Sequence, residues 1–166
     1  LYTSERLTGQ WKNKMITFSS KPSFVQFEDT DTIAEKIHKI PHIVDNTNLL
    51  AVFKLILHAA TRSKLKQEDM PKNILVISDM EFDRATYGFE TNFERIDKMF
   101  TTAGIKRPNL IFWNVANNNG ENYPVKFHES GTALISGYSP NILKALNTDM
   151  TPINVMEKAL ENFRCC

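Results

Sequence analysis

Three carboxylates fall within the five residues Asp79 to Asp83, in the stretch Ser78-Asp79-Met80-Glu81-Phe82-Asp83. They directly follow the apolar run Asn73-Ile74-Leu75-Val76-Ile77-Ser78, which reads as a strand. Carboxylate oxygens are hard donors, so Asp79, Glu81 and Asp83 at a strand's carboxyl end could hold a hard cation such as Mg²⁺. The competing reading, the commoner one for such a pattern, is a set of solvated loop acids capping the next helix. A second polar cluster, Asp45-Asn46-Thr47-Asn48, precedes a long apolar helical pattern. One or two of its members are N-caps by residue type. The alternative is that Thr47 offers its hydroxyl to the same cation. Asn114 follows Phe112-Trp113 and either supports a site or hydrogen-bonds a turn.

Other chemistries find little footing. Of the histidines His38, His42, His58 and His128, the first two are four apart, but Pro41 breaks the helix face they would share. His58 sits in an apolar helical pattern as a packed or surface histidine. There is no His-Glu-x-x-His pair, no Gly-x-Ser-x-Gly elbow, no phosphate loop and no Gly-x-Gly-x-x-Gly fingerprint. The cysteines, Cys165 and Cys166, are adjacent, which suits neither a disulfide framework nor a spaced zinc site. Trp11, Trp113, Tyr87, Tyr123, Tyr138 and the phenylalanines are mostly core by pattern. None interleaves with a basic run as in a single-strand binder.

The elements that must position the acids alternate in type. Lys14–Ser19 and Ser23–Phe27 read as two short strands forming a hairpin or adjacent pair. Asp29-Thr30-Asp31 offers an N-cap for a helix carrying Ile33, Ala34, Ile37 and Ile40, ended by Pro41. Asn46–Ser63 is apolar almost all round, the mark of a helix packed on a sheet. Asn73–Ser78 reads as a central strand buried on both faces. Asn92–Thr102 is an amphipathic helix closed by Gly104. Asn109–Asn114 and Thr132–Ile135 are further buried strands. Ser139-Pro140 opens a helix to Leu146, and a last helix runs from near Thr151-Pro152 to Phe163. Asn117-Asn118-Asn119-Gly120 is an exposed turn. Strands alternating with helices predict an α/β fold with a mostly parallel sheet.

Composition sets the outer limits. The 166 residues suit a single domain, with 42% hydrophobic and 23% charged residues, both ordinary for a globular chain. Twenty basic residues against nineteen acidic give a net charge of +1, balanced in both halves, which argues against strong non-specific polyanion binding. No apolar run approaches the ~20 residues of a membrane span. The absence of Asn-x-Ser/Thr sequons, of spaced cysteines and of a signal-peptide pattern points to a reducing, cytoplasmic compartment, a virion being the other setting.

Several segments together resemble one family. They are Lys14–Ser19, Asn46-Thr47-Asn48, Glu68-Asp69-Met70-Pro71-Lys72, Ile77–Asp83, Ile111–Asn114, Ala133–Ser139 and Val155–Leu160. They look like the C-terminal part of the DUF2828/DUF7788 proteins of plants, fungi, bacteria and giant viruses, itself similar to a von Willebrand factor A (vWA) domain. The likeness covers nearly the whole chain in order, and Glu-Asp-Met-Pro-Lys with Ser-Asp-Met-Glu-Phe-Asp is its most specific part. It implies a Rossmann-like vWA sheet wrapped by helices, with a metal-ion-dependent adhesion site built from three loops. The first loop is Asp-x-Ser-x-Ser; the second supplies a threonine, matched by Thr47; the third an aspartate, matched by Asp79. Glu81, Asp83 and Asn46 would be outer-shell or rim residues.

No Asp-x-Ser-x-Ser occurs here, and Leu1–Thr8 looks like the end of the helix that follows that loop. The domain is therefore expected to be N-terminally incomplete over 1–166, lacking the first strand and its metal-binding loop. Either the chain is part of a longer polypeptide, or this member has lost the site. The first is favoured, because a sheet without its central strand leaves apolar edges exposed.

The resemblance implies a non-enzymatic protein-interaction module, in which Mg²⁺ with an open coordination position meets an acidic residue of a partner protein. A distant likeness to the RNA-binding Ro proteins makes RNA an indirect partner, with the contact carried by a helical ring outside this domain. A structural or assembly role in a ribonucleoprotein or viral particle with a degenerate site is the alternative. A metal-dependent hydrolase using Asp79, Glu81 and Asp83 lacks a positioned base or nucleophile. Oligomeric state is left open.

Overall fold

In this computed structural model the structure describes residues 1–42, 48–78, 89–114 and 131–136. The chain divides into two compact units, Leu1–Pro71 with Asp83–Arg107 and Lys72–Phe82 with Pro108–Cys166.

The first unit opens with a short helix α1 (Tyr2–Glu5) and a 3₁₀ turn (Gly9–Trp11), followed by strands β1 (Lys14–Ile16) and β2 (Phe24–Gln26). The two strands pair antiparallel with Met15 opposite Val25, so the expected hairpin forms, with shorter strands. Asn13 organises its base. Its φ of +56° lies in the left-handed region that asparagine tolerates better than most residues. That bend lets its N–H donate to Ser4 O (2.9 Å) and its carbonyl accept from Phe27 N (2.8 Å). The side-chain Nδ2 donates to Asp29 Oδ1 at 2.7 Å.

Helix α2 (Ile33–Lys39) starts one residue later than the Asp29–Asp31 cap predicted from sequence. Thr32 is the cap, in a reciprocal box: its hydroxyl accepts from Glu35 N while Glu35 accepts from Thr32 N. Asp31 is used otherwise, accepting from Glu28 N at 2.7 Å and from Lys39 Nζ at 2.5 Å. Lys36 is buried, and its ammonium meets Glu5 at 2.6 Å. That contact holds the Glu5 carboxyl below its ordinary value, as a buried cation requires a partner.

Helices α3 (Leu49–Arg62) and α4 (Phe89–Thr102) form the unit's apolar centre. Phe53 and Phe100 meet edge to face, centroids 5.9 Å apart and planes at 85°, an arrangement the ring quadrupoles favour. Ile56, Ala60, Phe93 and Ile96 are also buried. The stop after α4 follows the expected pattern. Gly104 takes φ +69°, its N–H donates to Thr101 O, and Ile105 N donates to Phe100 O.

The second unit holds a three-stranded sheet in the order β3 (Asn73–Ser78), β4 (Asn109–Asn114), β5 (Thr132–Ser136). Both pairings are parallel. Parallel neighbours need a long crossover, and α4 lies in the connection from β3 to β4. The predicted strand positions hold. Among the described residues β3 pairs with β4 alone, and Ile77 is 59% exposed. Among the described strands the middle one is β4, whose Leu110, Ile111 and Phe112 are at most 1% exposed. An apolar run shows that a strand is suited to cover on both faces, not which neighbour supplies it.

The result is a mixed α/β chain whose parallel sheet is compatible with a Rossmann-like fold. The helices predicted near 139–146 and 151–163 and the turn at 117–120 lie outside the described residues. Among the described residues no helix is long and apolar enough to cross a membrane.

Candidate functional site

The carboxyl edge of the sheet is built from register. Ser78, Asn114 and Ser136 end the three strands and stand side by side, Ser78 opposite Asn114 and Asn114 opposite Ser136. A row of polar residues thus replaces the apolar row just inside it, Ile77, Trp113 and Ile135. Asn114 is buried at the end of β4. The carboxyl edge of a parallel sheet is where open α/β folds receive ligands.

Asp79 follows Ser78 directly in the chain. Asp79, Glu81 and Asp83 lie outside the described residues, as do Asn46 and Thr47. Among the described residues no three histidines, cysteines or acids gather as a metal cluster. The acids' donor chemistry fits a hard cation: carboxylate and hydroxyl oxygens suit Mg²⁺, which keeps several waters.

The structure does assign one member of the second cluster. Asn48 is the N-cap of α3, its Oδ1 accepting from Ala51 N at 2.9 Å. The capping role proposed for Asp45-Asn46-Thr47-Asn48 thus falls to Asn48. His58 is exposed on α3, and α2 ends at Lys39, before His42.

Sequence reasoning missed a groove in the first unit. Its volume is about 360 Å³. One wall is the face Leu55, His58, Ala59 and Arg62 of α3, at spacings of three and four. The other is Trp11 with Lys14 and Phe24 of the hairpin. Trp11 and Phe24 sit 6.3 Å apart, tilted by 48°. The indole is fixed from behind, its Nε1–H donating to Asp69 O at 2.7 Å. Lys14 Nζ lies 5.9 Å from the Phe24 ring centroid. The signal in the sequence was three bases at four-residue steps on α3, Lys54, His58 and Arg62, of which the last two line the groove; their partners on the hairpin are too distant in the chain for periodicity to join them.

The family model described as "Domain of unknown function (DUF7788)" matches residues 1–161. An uncharacterised protein of Acanthamoeba polyphaga mimivirus is 27% identical over 168 residues, covering 98% of this chain and 29% of its own length. The chain therefore spans less than a third of that relative. No solved structure matches.

Proposed function

The chain belongs to the DUF7788 family, and we propose that it is a non-enzymatic protein-interaction module of vWA type. In this reading Thr47 and Asp79 are ligands of a divalent cation, Mg²⁺ by the hardness of their oxygens. Glu81, Asp83 and Asn46 shape the rim. The cation's open position takes an acidic side chain from a partner protein. Further ligands come from polypeptide preceding Leu1.

The observation that carries the reading is the polar row Ser78, Asn114, Ser136 at the carboxyl edge of a parallel sheet, with Asp79 the next residue after Ser78.

A second reading is an assembly role with a degenerate cation site. The mimivirus relative favours it, since a viral setting suits a structural component of a particle.

Calorimetric titration with Mg²⁺ and Mn²⁺ separates the two. It compares this chain with a polypeptide extended upstream. Binding in the longer polypeptide supports the cation-dependent module. Binding in neither removes it and leaves the assembly role.

A further inference from the structure

The groove between α3 and the β1–β2 hairpin has a composition the cation reading does not use. Three bases line it, Lys14, His58 and Arg62, and no carboxylate does. Among the described residues none of the three forms an ion pair, although Lys12, Lys36 and Lys39 nearby in the chain all do. In a chain with nearly equal numbers of acids and of lysines plus arginines, Lys14 and Arg62, two cations outside any ion pair, give this small aromatic cavity a local positive field.

We propose that this groove binds a nucleotide, its planar base against Trp11 and Phe24 and its phosphate held by Lys14 and Arg62. Size, shape and charge each narrow the choice. A volume of about 360 Å³ falls in the range of small-ligand sites, roughly 300–1,000 Å³. The Trp11 ring, locked by its hydrogen bond to Asp69, and the Phe24 ring tilted 48° to it favour a flat partner that stacks on one ring and meets the other at its edge, with little ordering of the indole left to supply. Arg62 of α3 and Lys14 of the hairpin line the same groove, and in this proposal one compact group with several acceptor oxygens engages both. A phosphate does this better than a single carboxylate, because guanidinium and ammonium each find separate oxygens. Leu55 and Ala59 give the interior an apolar lining against which the base loses water. His58, at the same wall, supplies a ring for edge contacts to base or ribose.

The same chemistry is offered by a free nucleotide and by a residue of a single strand. The near-neutral charge of the chain gives no track for a long backbone, so the groove fits one nucleotide unit.

The test is calorimetry on the intact protein with adenosine 5′-monophosphate, adenosine, inorganic phosphate and a short oligoadenylate. Adenosine monophosphate is expected to bind saturably, with adenosine and phosphate each at least about tenfold weaker. Arg62→Glu and Lys14→Glu each weaken it by about tenfold or more. Arg62 is exposed and Lys14 half-buried, and thermal melts of the variants are to check that folding is kept. Trp11→Phe keeps a ring and retains part of the affinity. An oligoadenylate that binds more tightly than the monophosphate assigns a strand as the source, and equal affinity assigns the free nucleotide. The proposal is overturned by no binding of either up to about 10 mM, by unchanged affinity in Arg62→Glu, or by phosphate alone binding as well as the monophosphate. The site is independent of the divalent cation, so a failed cation titration leaves this test intact.

Discussion

Asn48 caps helix α3 through a 2.9 Å hydrogen bond from Ala51 N to its side-chain oxygen, with Thr47 immediately before it in the chain. The bond separates two roles that the sequence leaves overlapped. Asn48→Ala removes a cap and is expected to cost about 1 kcal/mol of stability. Thr47→Ala leaves the Asn48 cap in place and is expected to stay within about 0.5 kcal/mol in the absence of cation. In the upstream-extended polypeptide Thr47→Ala instead reduces Mg²⁺-dependent stabilisation. Denaturant melts of both variants, with and without Mg²⁺, decide the matter; a large loss of folding in Thr47→Ala would contradict the ligand role.

Asp79 carries the heavier share of the cation reading. Saturation with Mg²⁺ at a hundred times its dissociation constant would stabilise the folded state by about 2.7 kcal/mol. Asp79→Ala is expected to abolish that shift in the upstream-extended polypeptide, and Asp83→Ala to reduce it only in part. Thermal melts against Mg²⁺ concentration read both. An Asp79→Ala variant that keeps the whole shift removes the assignment.

The helix pair is held by Phe53 against Phe100, both at most 1% exposed. Truncating either leaves a cavity as well as losing transfer energy, so Phe53→Ala or Phe100→Ala is expected to cost about 3–5 kcal/mol. A double-mutant cycle should return a coupling of about 0.5–1.5 kcal/mol for the edge-to-face contact. Urea unfolding of the single and double variants measures it, and strictly additive losses would show that the contact geometry adds nothing beyond burial.

Where the sequence was legible, the signal was local. The apolar run Asn109–Asn114 became β4 over those same residues, and Gly104 closed α4, because strand runs and left-handed stops are written in adjacent residue types. The cap of α2 was misplaced because aspartate and threonine are near-equal caps. Asp31 was drawn off by Lys39 and Glu28 N, and Thr32 took the helix. Among the described residues β3 has β4 alone as a neighbour, which was hidden because an apolar strand reads alike whether or not both neighbours are present. The groove was hidden more deeply. Trp11, Lys14 and Phe24 are joined to His58 and Arg62 only by tertiary packing. The polar row at the sheet edge followed from the strand ends, but its register, Ser78 to Asn114 to Ser136, came from the pairing alone.

Acid should loosen the start of the first unit before its centre. The Glu35 carboxyl is held below its ordinary value of 4.5 by the Thr32 N–H and then its hydroxyl. Asp31 is held below its ordinary 3.8 chiefly by the Lys39 ammonium, and then by Glu28 N–H. Asp29 is held below it by Lys12 and Asn13. A group whose pKa is lower when folded stabilises fully above its unfolded value, and loses that contribution as pH falls through the folded one. Stability is therefore expected to be flat in these groups above about pH 5 and to decline through pH 4.5 and below. Glu35→Gln retains an acceptor for the capping box but does not titrate, and Asp31→Asn does the same for its site. The double variant should be less stable than the parent at pH 7 and should lose less on acidification. Urea midpoints from pH 7 to pH 3 test this, and a parent and variant with parallel acid limbs would show that other carboxylates govern the decline.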